Sequence, residues 1–132
     1  MPKLAYYESL TLEPKPAIWL GPTQRIIRGF PRSVRQVIGY ALEVAQRGGR
    51  HPDAKPLRGF KGAGVLEVVE NHEGNAYRAV YTVKLADHVY VLHAFQKKAK
   101  KEVRTPKREI ELIRKRLREA EQIQGEWEKV DD

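Results

Sequence analysis

The chain has 132 residues, 41% apolar and 32% charged, the size and balance of one globular domain, and no stretch nears the roughly 18 apolar residues of a membrane span. Zero cysteines exclude disulfides and thiolate metal centres and fit a reducing cytoplasm. His51, His72, His88 and His93 lack ligand-like spacing, so neither metal nor other cofactor is expected. The net charge is +8, and residues 97–118 alone hold eleven Lys and Arg against three Glu, so the rest of the chain is close to neutral. Such a local surplus implies a directed field, for which nucleic acid is the usual partner.

Residues 1–14 show no period and read as an extended arm. "KPAIWLG" predicts a short strand after Pro16, and "TQRIIRGF" a short helix with Thr23 as its cap. In "PRSVRQVIGYALEVAQRGG" the apolar positions Val34, Val37, Ile38, Ala41, Leu42 and Ala45 recur at helical spacing. Pro31 opens that helix, and Gly48-Gly49 offers a left-handed stop. Residues 50–64 turn to Pro, Gly and Lys and read as a long surface connection. Within it "GFKGAG" lacks the strand-before, helix-after setting of a phosphate loop and reads as a turn.

Three antiparallel strands are predicted next, "GVLEVVEN", "NAYRAVYTVK" and "HVYVLHAF", joined by turns at Gly74 and at Ala86-Asp87. Alternation puts Tyr77, Ala79, Tyr81 and Val83 on one face of the middle strand. Arg78, Val80, Thr82 and Lys84 take the other. By the same rule His93 shares a face with Val89, Val91 and Phe95, as a histidine at the core edge. The last helix is predicted from Thr105 as N-cap and Pro106 as first residue, with Ile110, Ile113, Leu117 and Ala120 as its stripe and fraying from residue 125 to 132. The fold class is α+β: an antiparallel sheet with two N-terminal helices and a C-terminal helix packed on it, as one domain over 1–132.

Lys97 and Lys98 begin where a strand ends, and Arg78 stands on the neighbouring strand, so the sheet can aim these cations at one phosphate. Lys84, Lys100, Lys101 and Arg104 extend the basic surface towards an RNA strand, and Phe95 is divided between core packing and base stacking. With RNA as ligand the 2′-hydroxyl lies beside the scissile phosphate, so cleavage needs no metal. It needs a proton acceptor, charge stabilisation and a donor to the departing 5′ oxygen. Crowding among Lys97, Lys98, Lys100 and Lys101 disfavours their charged forms and fits Lys97 or Lys98 for proton transfer, with His93 as the alternative.

"KPLRGF", "GVLEVVE", "YRAVYTVK", "VYVLHAFQKK" and "TPKREIELIRKRL", in this order, resemble the HigB-like, phage-derived branch of the RelE/ParE toxin superfamily over about residues 18–121. The resemblance implies a RelE-like fold and the toxin of a type II toxin–antitoxin pair. The implied activity is a metal-independent endoribonuclease that cuts mRNA on the ribosome and inhibits translation. Its implied partners are mRNA, the ribosome and a cognate helix-turn-helix (HigA-like) antitoxin, with no membrane. Arg78 then matches the superfamily's strand arginine, and Lys97 and Lys98 its basic residues after the last main strand. Glu67 and Glu70 stand where some relatives carry lysines, and Thr105 where some carry a tyrosine. The ParE branch shares the fold without nuclease activity, so a non-catalytic binding toxin, or an RNA-binding module, is the competing expectation.

Overall fold

The computed structural model describes residues 13–85, 87–97 and 105–130. Lys98, Lys100, Lys101, Arg104, the turn residue Ala86 and most of the N-terminal arm lie outside the described residues. A five-stranded sheet forms from β1 (Ala17–Trp19), β2 (Ala54–Pro56), β3 (Val65–His72), β4 (Asn75–Leu85) and β5 (His88–Lys97). Its spatial order is β1-β5-β4-β3-β2, with β1 parallel to β5 and every other pairing antiparallel. Three helices accompany it: α1 (Thr23–Arg28), α2 (Arg32–Gln46) and α3 (Lys107–Val130).

The helices take opposite faces. The apolar stripe of α2 buries Val34, Ile38, Ala41, Leu42 and Ala45 against Leu66, Val68, Tyr77, Ala79, Tyr81, Val89 and Val91. On the other face Ile113 and Ala120 of α3 meet Val65, Val80, Tyr90 and Leu92. Each of these large aliphatic side chains contributes roughly 1.5–3 kcal/mol by leaving water, so the sheet is the shared wall of two cores.

Local chemistry sets the boundaries. Gly48 adopts φ 86°, and Gly49 N–H returns to Val44 O at 2.9 Å while Gly48 N–H bonds Ala45 O at 3.0 Å. That double closure is the Schellman stop expected at Gly48-Gly49. Glu73 and Gly74 both have positive φ, 48° and 82°, and close the β3–β4 hairpin in a two-residue turn that pairs His72 with Asn75.

Several expectations need correction. Residues 54–56 are not surface connection but the edge strand β2; three residues ending in proline carry too little pattern to be seen. Thr23 caps nothing: Pro22 takes that position, and the threonine is fully buried inside the first turn. Pro31 likewise stands one place before α2 rather than in it. α3 begins at Lys107, so Pro106 and not Thr105 stands directly before it, and the Thr105 hydroxyl donates to Glu67 Oε2 at 2.6 Å. Nor does the chain fray at Gly125, since α3 continues to Val130. Gln124 fastens that last stretch, accepting from Tyr90 Oη at 2.8 Å, and Trp127 packs on His88 with ring centroids 4.6 Å apart.

The largest correction concerns β5. Val80 pairs with His93 and Tyr81 with Val91, so Leu92 is an extra residue and β5 bulges there. Val89 and Val91 face α2 as alternation requires. Beyond the bulge the phase flips, and His93 faces α3 instead. It does not share a face with Val89 and Val91.

Candidate functional site

Arg78 is central to β4 and 4% exposed. Its register partner on β3 is Val69, and on β5 it is Phe95. Glu67 lies one diagonal step away on the same face of β3. Arg78 Nη1 donates to Glu67 Oε1 at 3.0 Å, with the Glu67 side chain 12% exposed. The second carboxylate oxygen accepts from Thr105. A single carboxylate therefore ties the sheet arginine to the segment entering α3. Removing water from two opposite charges is costly, and their mutual attraction plus the extra hydrogen bond is what offsets it.

Beside this pair lies a cavity of about 300 Å³, lined by Asp53, Lys55, Glu67, Val69 and Arg78. It opens over β2 and β3, beyond the part of the face that α3 covers. Its charges are mixed, two cations and two carboxylates. That differs from the purely cationic mouth expected from the sequence, because β2 brings Lys55, the turn before it brings Asp53, and β3 brings Glu67.

On the other side of Arg78 lies the β5 margin. Lys97 pairs with Ala76 and is half-buried, so it points to the same face as Arg78 and Phe95. Phe95 is also half-buried and stacks on His93, with centroids 5.1 Å apart and planes 21° from parallel. His93 is enclosed. Its Nε2 meets Glu109 of α3, and Arg116 Nη1 lies 3.2 Å from Nδ1. Arginine can only donate, so Nδ1 accepts from Arg116 and the Nε2 proton is directed at Glu109. Burial pushes the His93 pKa below its ordinary value; Glu109 opposes that shift and Arg116 adds to it. The ring is thus held neutral, with both nitrogens engaged between sheet and helix.

The sequence-predicted residues divide into three groups. Arg78, Phe95, Lys97 and His93 come together on the α3 face. Lys84 does not join them. It is exposed at the far end of β4, six residues from Arg78 and roughly 20 Å along the strand. Lys98, Lys100, Lys101 and Arg104 lie outside the described residues.

Part of the basic run is absorbed by packing. Arg114 covers the Phe60 ring at 4.7 Å, and Arg116 also donates to Leu92 O at 3.0 Å. The sequence reading gives Glu67 as a departure from relatives and Thr105 as that and a helix cap, and does not foresee Glu67 as the partner of Arg78 or Thr105 as the donor to Glu67. A signal was available. Counting back from the two-residue turn at Glu73-Gly74 sets Val69 opposite Arg78 and leaves Glu67 as its diagonal neighbour.

Among the described residues no helix is long and apolar enough to cross a membrane. No curated protein sequence matches the chain. Among solved structures, a double arginine-to-alanine mutant of the E. coli toxin RelE in the free state aligns with a TM-score of 0.48 and 20% identity. The alignment covers 66% of this chain and 85% of that one. The toxin–antitoxin complex RelBE2 from Mycobacterium tuberculosis aligns with a TM-score of 0.44 and 21% identity, covering 68% of this chain and 99% of that one. A family model described as "Phage derived protein Gp49-like (DUF891)" matches residues 25–118, from α1 through the first half of α3. That span takes in the whole Arg78–Glu67 site, and the chain belongs to the Gp49-like family of phage-derived proteins.

Proposed function

We propose that the chain is the toxin of a type II toxin–antitoxin pair of the RelE superfamily, in its HigB-like branch. It acts as a metal-independent endoribonuclease on ribosome-bound mRNA, and a helix-turn-helix antitoxin neutralises it. The observation that carries this reading is the Arg78–Glu67 pair beside an open cavity, with Lys97 and Phe95 on the adjoining strand.

The chemistry needs little more than these groups. The RNA 2′-oxygen attacks the neighbouring phosphorus as its proton passes to a base. The P–O5′ bond breaks, and the departing oxygen takes up a proton, leaving a 2′,3′-cyclic phosphate and a 5′-hydroxyl. Glu67 is the carboxylate on the cavity wall and serves as the acceptor, because each oxygen keeps a second lone pair besides the one given to Arg78 or Thr105. Arg78, Lys97 and Lys98 offset the charge of the phosphorane. Lys97 or Lys98 supplies the proton to the leaving oxygen. His93 is the weaker candidate for either transfer, because Glu109 and Arg116 occupy both of its nitrogens. Holding the mRNA in line falls to the ribosome, and positioning of that kind is worth on the order of 7–11 kcal/mol.

Purified protein is expected to cut mRNA on programmed ribosomes without added metal, and Arg78→Ala is expected to lower the rate at least about a hundredfold. Intact mRNA across varied A-site codons overturns the nuclease reading. One observation favours a binding-only toxin instead: Arg78 is buried and already neutralised by Glu67. Growth arrest that survives Arg78→Ala combined with Lys98→Ala, with cellular mRNA intact, decides for that alternative.

A further inference from the structure

At the opposite end of the sheet lies a larger groove of about 750 Å³, between the C-terminal turn of α2 and the 57–64 loop. Leu57, Leu66 and Val83 form its apolar floor, and Arg50, Lys61 and Lys84 stand around it. No carboxylate is among the described residues that line it. The contrast with the Arg78 cavity is one of sign, since there Asp53 and Glu67 balance Lys55 and Arg78. We propose that this groove is a second anion-binding subsite, which takes the phosphate and ring of one nucleotide of an RNA strand. The choice of RNA as source rests on the function proposed above; the subsite itself rests on the groove.

Three features support a built site. Arg50 Nε donates to Ala54 O at 2.9 Å, which fixes the guanidinium at the rim. Lys84 is folded back over Gly64, where a Cβ would come within 2.4 Å of Lys84 Cγ. Glycine at that position lets the lysine stem lie flat and brings its ammonium to 3.4 Å from Gly62 O, at the mouth of the groove. Gly62 has φ of 80° and open space where a Cβ would stand, so a phosphate can approach its backbone without meeting a side chain there.

The volume lies within the range of small-molecule sites, and an apolar floor with a few cations matches a ring joined to a phosphate. An acidic peptide fits less well. The free edge beside the groove is β2, which is three residues long and ends in Pro56, so it offers almost no ladder for strand addition. Lys84 lies roughly 20 Å along β4 from Arg78, so a strand held at both points spans several nucleotides.

The test is a backbone amide NMR titration of the full chain with AMP, with a tetraglutamate peptide as a parallel probe. Saturable shifts at Arg50, Lys61, Gly62, Gly64 and Lys84 are expected with AMP. Combining Lys61→Ala with Lys84→Ala is expected to weaken that binding about tenfold, as two exposed charge contacts are lost. Both lysines are exposed, so the variant should keep a folded spectrum. With an uncleavable 2′-O-methyl RNA, the same variant should lower the salt slope by about 0.7, the share of the one phosphate the groove holds.

AMP shifts that do not saturate, or that fall only around Arg78 and Lys97, overturn the subsite. So does a groove that takes the peptide and ignores AMP. Saturable AMP binding in a protein that leaves ribosomal mRNA intact supports the subsite while removing the nuclease reading.

Discussion

Arg78 and Lys84 stand on the same strand, six residues apart, with a register irregularity between Thr82 and Leu85 separating them. Arg78 is enclosed, 4% exposed, and held 3.0 Å from Glu67. Lys84 lies at the surface, reaches Gly62 O at 3.4 Å, and faces a groove with no carboxylate among its described lining residues. One formal charge thus has two physical meanings. At the enclosed end the cation is part of the fold, and any ligand must compete with an internal anion. At the open end it costs the fold little and remains available to a ligand. Counting charge along the chain locates the surplus; burial decides where it can act.

Glu67→Ala should show the largest difference between the two ends. It removes the carboxylate facing a buried guanidinium and the acceptor of Thr105, so a loss of about 3–5 kcal/mol is expected in denaturant unfolding. Glu67→Gln, which keeps the volume and one acceptor, should lose clearly less. Equal losses for the two variants would show that the pair contributes by packing rather than by charge.

The next effect belongs to His93. Truncation to alanine leaves Glu109 and Arg116 without their ring partner, for about 1–3 kcal/mol. Its pH signature has a definite sign. Burial holds the folded pKa below the ordinary 6.5, so between those two values the unfolded chain binds more protons than the folded one. Stability should be full above about 6.5 and fall as pH drops towards the folded pKa. His93→Gln should flatten that part of the profile. An unchanged slope would mean that the ring titrates alike in both states.

The smallest effect is expected at the open end. Lys84→Ala should change stability by less than about 0.5 kcal/mol while weakening anion binding. A large loss of stability there would erase the distinction between the two ends.

The same distinction explains what could be read in advance. The α2 stripe and the three long strands follow from periodicity, since Val34 to Ala45 and Tyr77 to Val83 repeat cleanly. Arg78 was legible as a strand-mounted cation. Its neutralisation was not, because Glu67 is remote in sequence and comes alongside only through hairpin register. His93 was assigned to the wrong face because one extra residue at Leu92 shifts the phase of β5, and nothing in "VYVLHAF" announces a bulge. Thr105 reads as a helix cap from its position before Pro106, yet the helix starts two residues later and the hydroxyl donates to Glu67, which is remote in sequence.

The parallel seating of β1 beside β5 has a consequence for the order of folding. Hairpins β3–β4 and β4–β5 close over short turns, whereas Ala17 must find Val89 across about 70 residues, a slow, entropically late step. On a ribosome making this protein, β1 emerges early and waits unpaired until β5 has left the exit tunnel. Of the five strands β1 is thus made before the others and paired after them, so one edge of the sheet stays open until β5 is available.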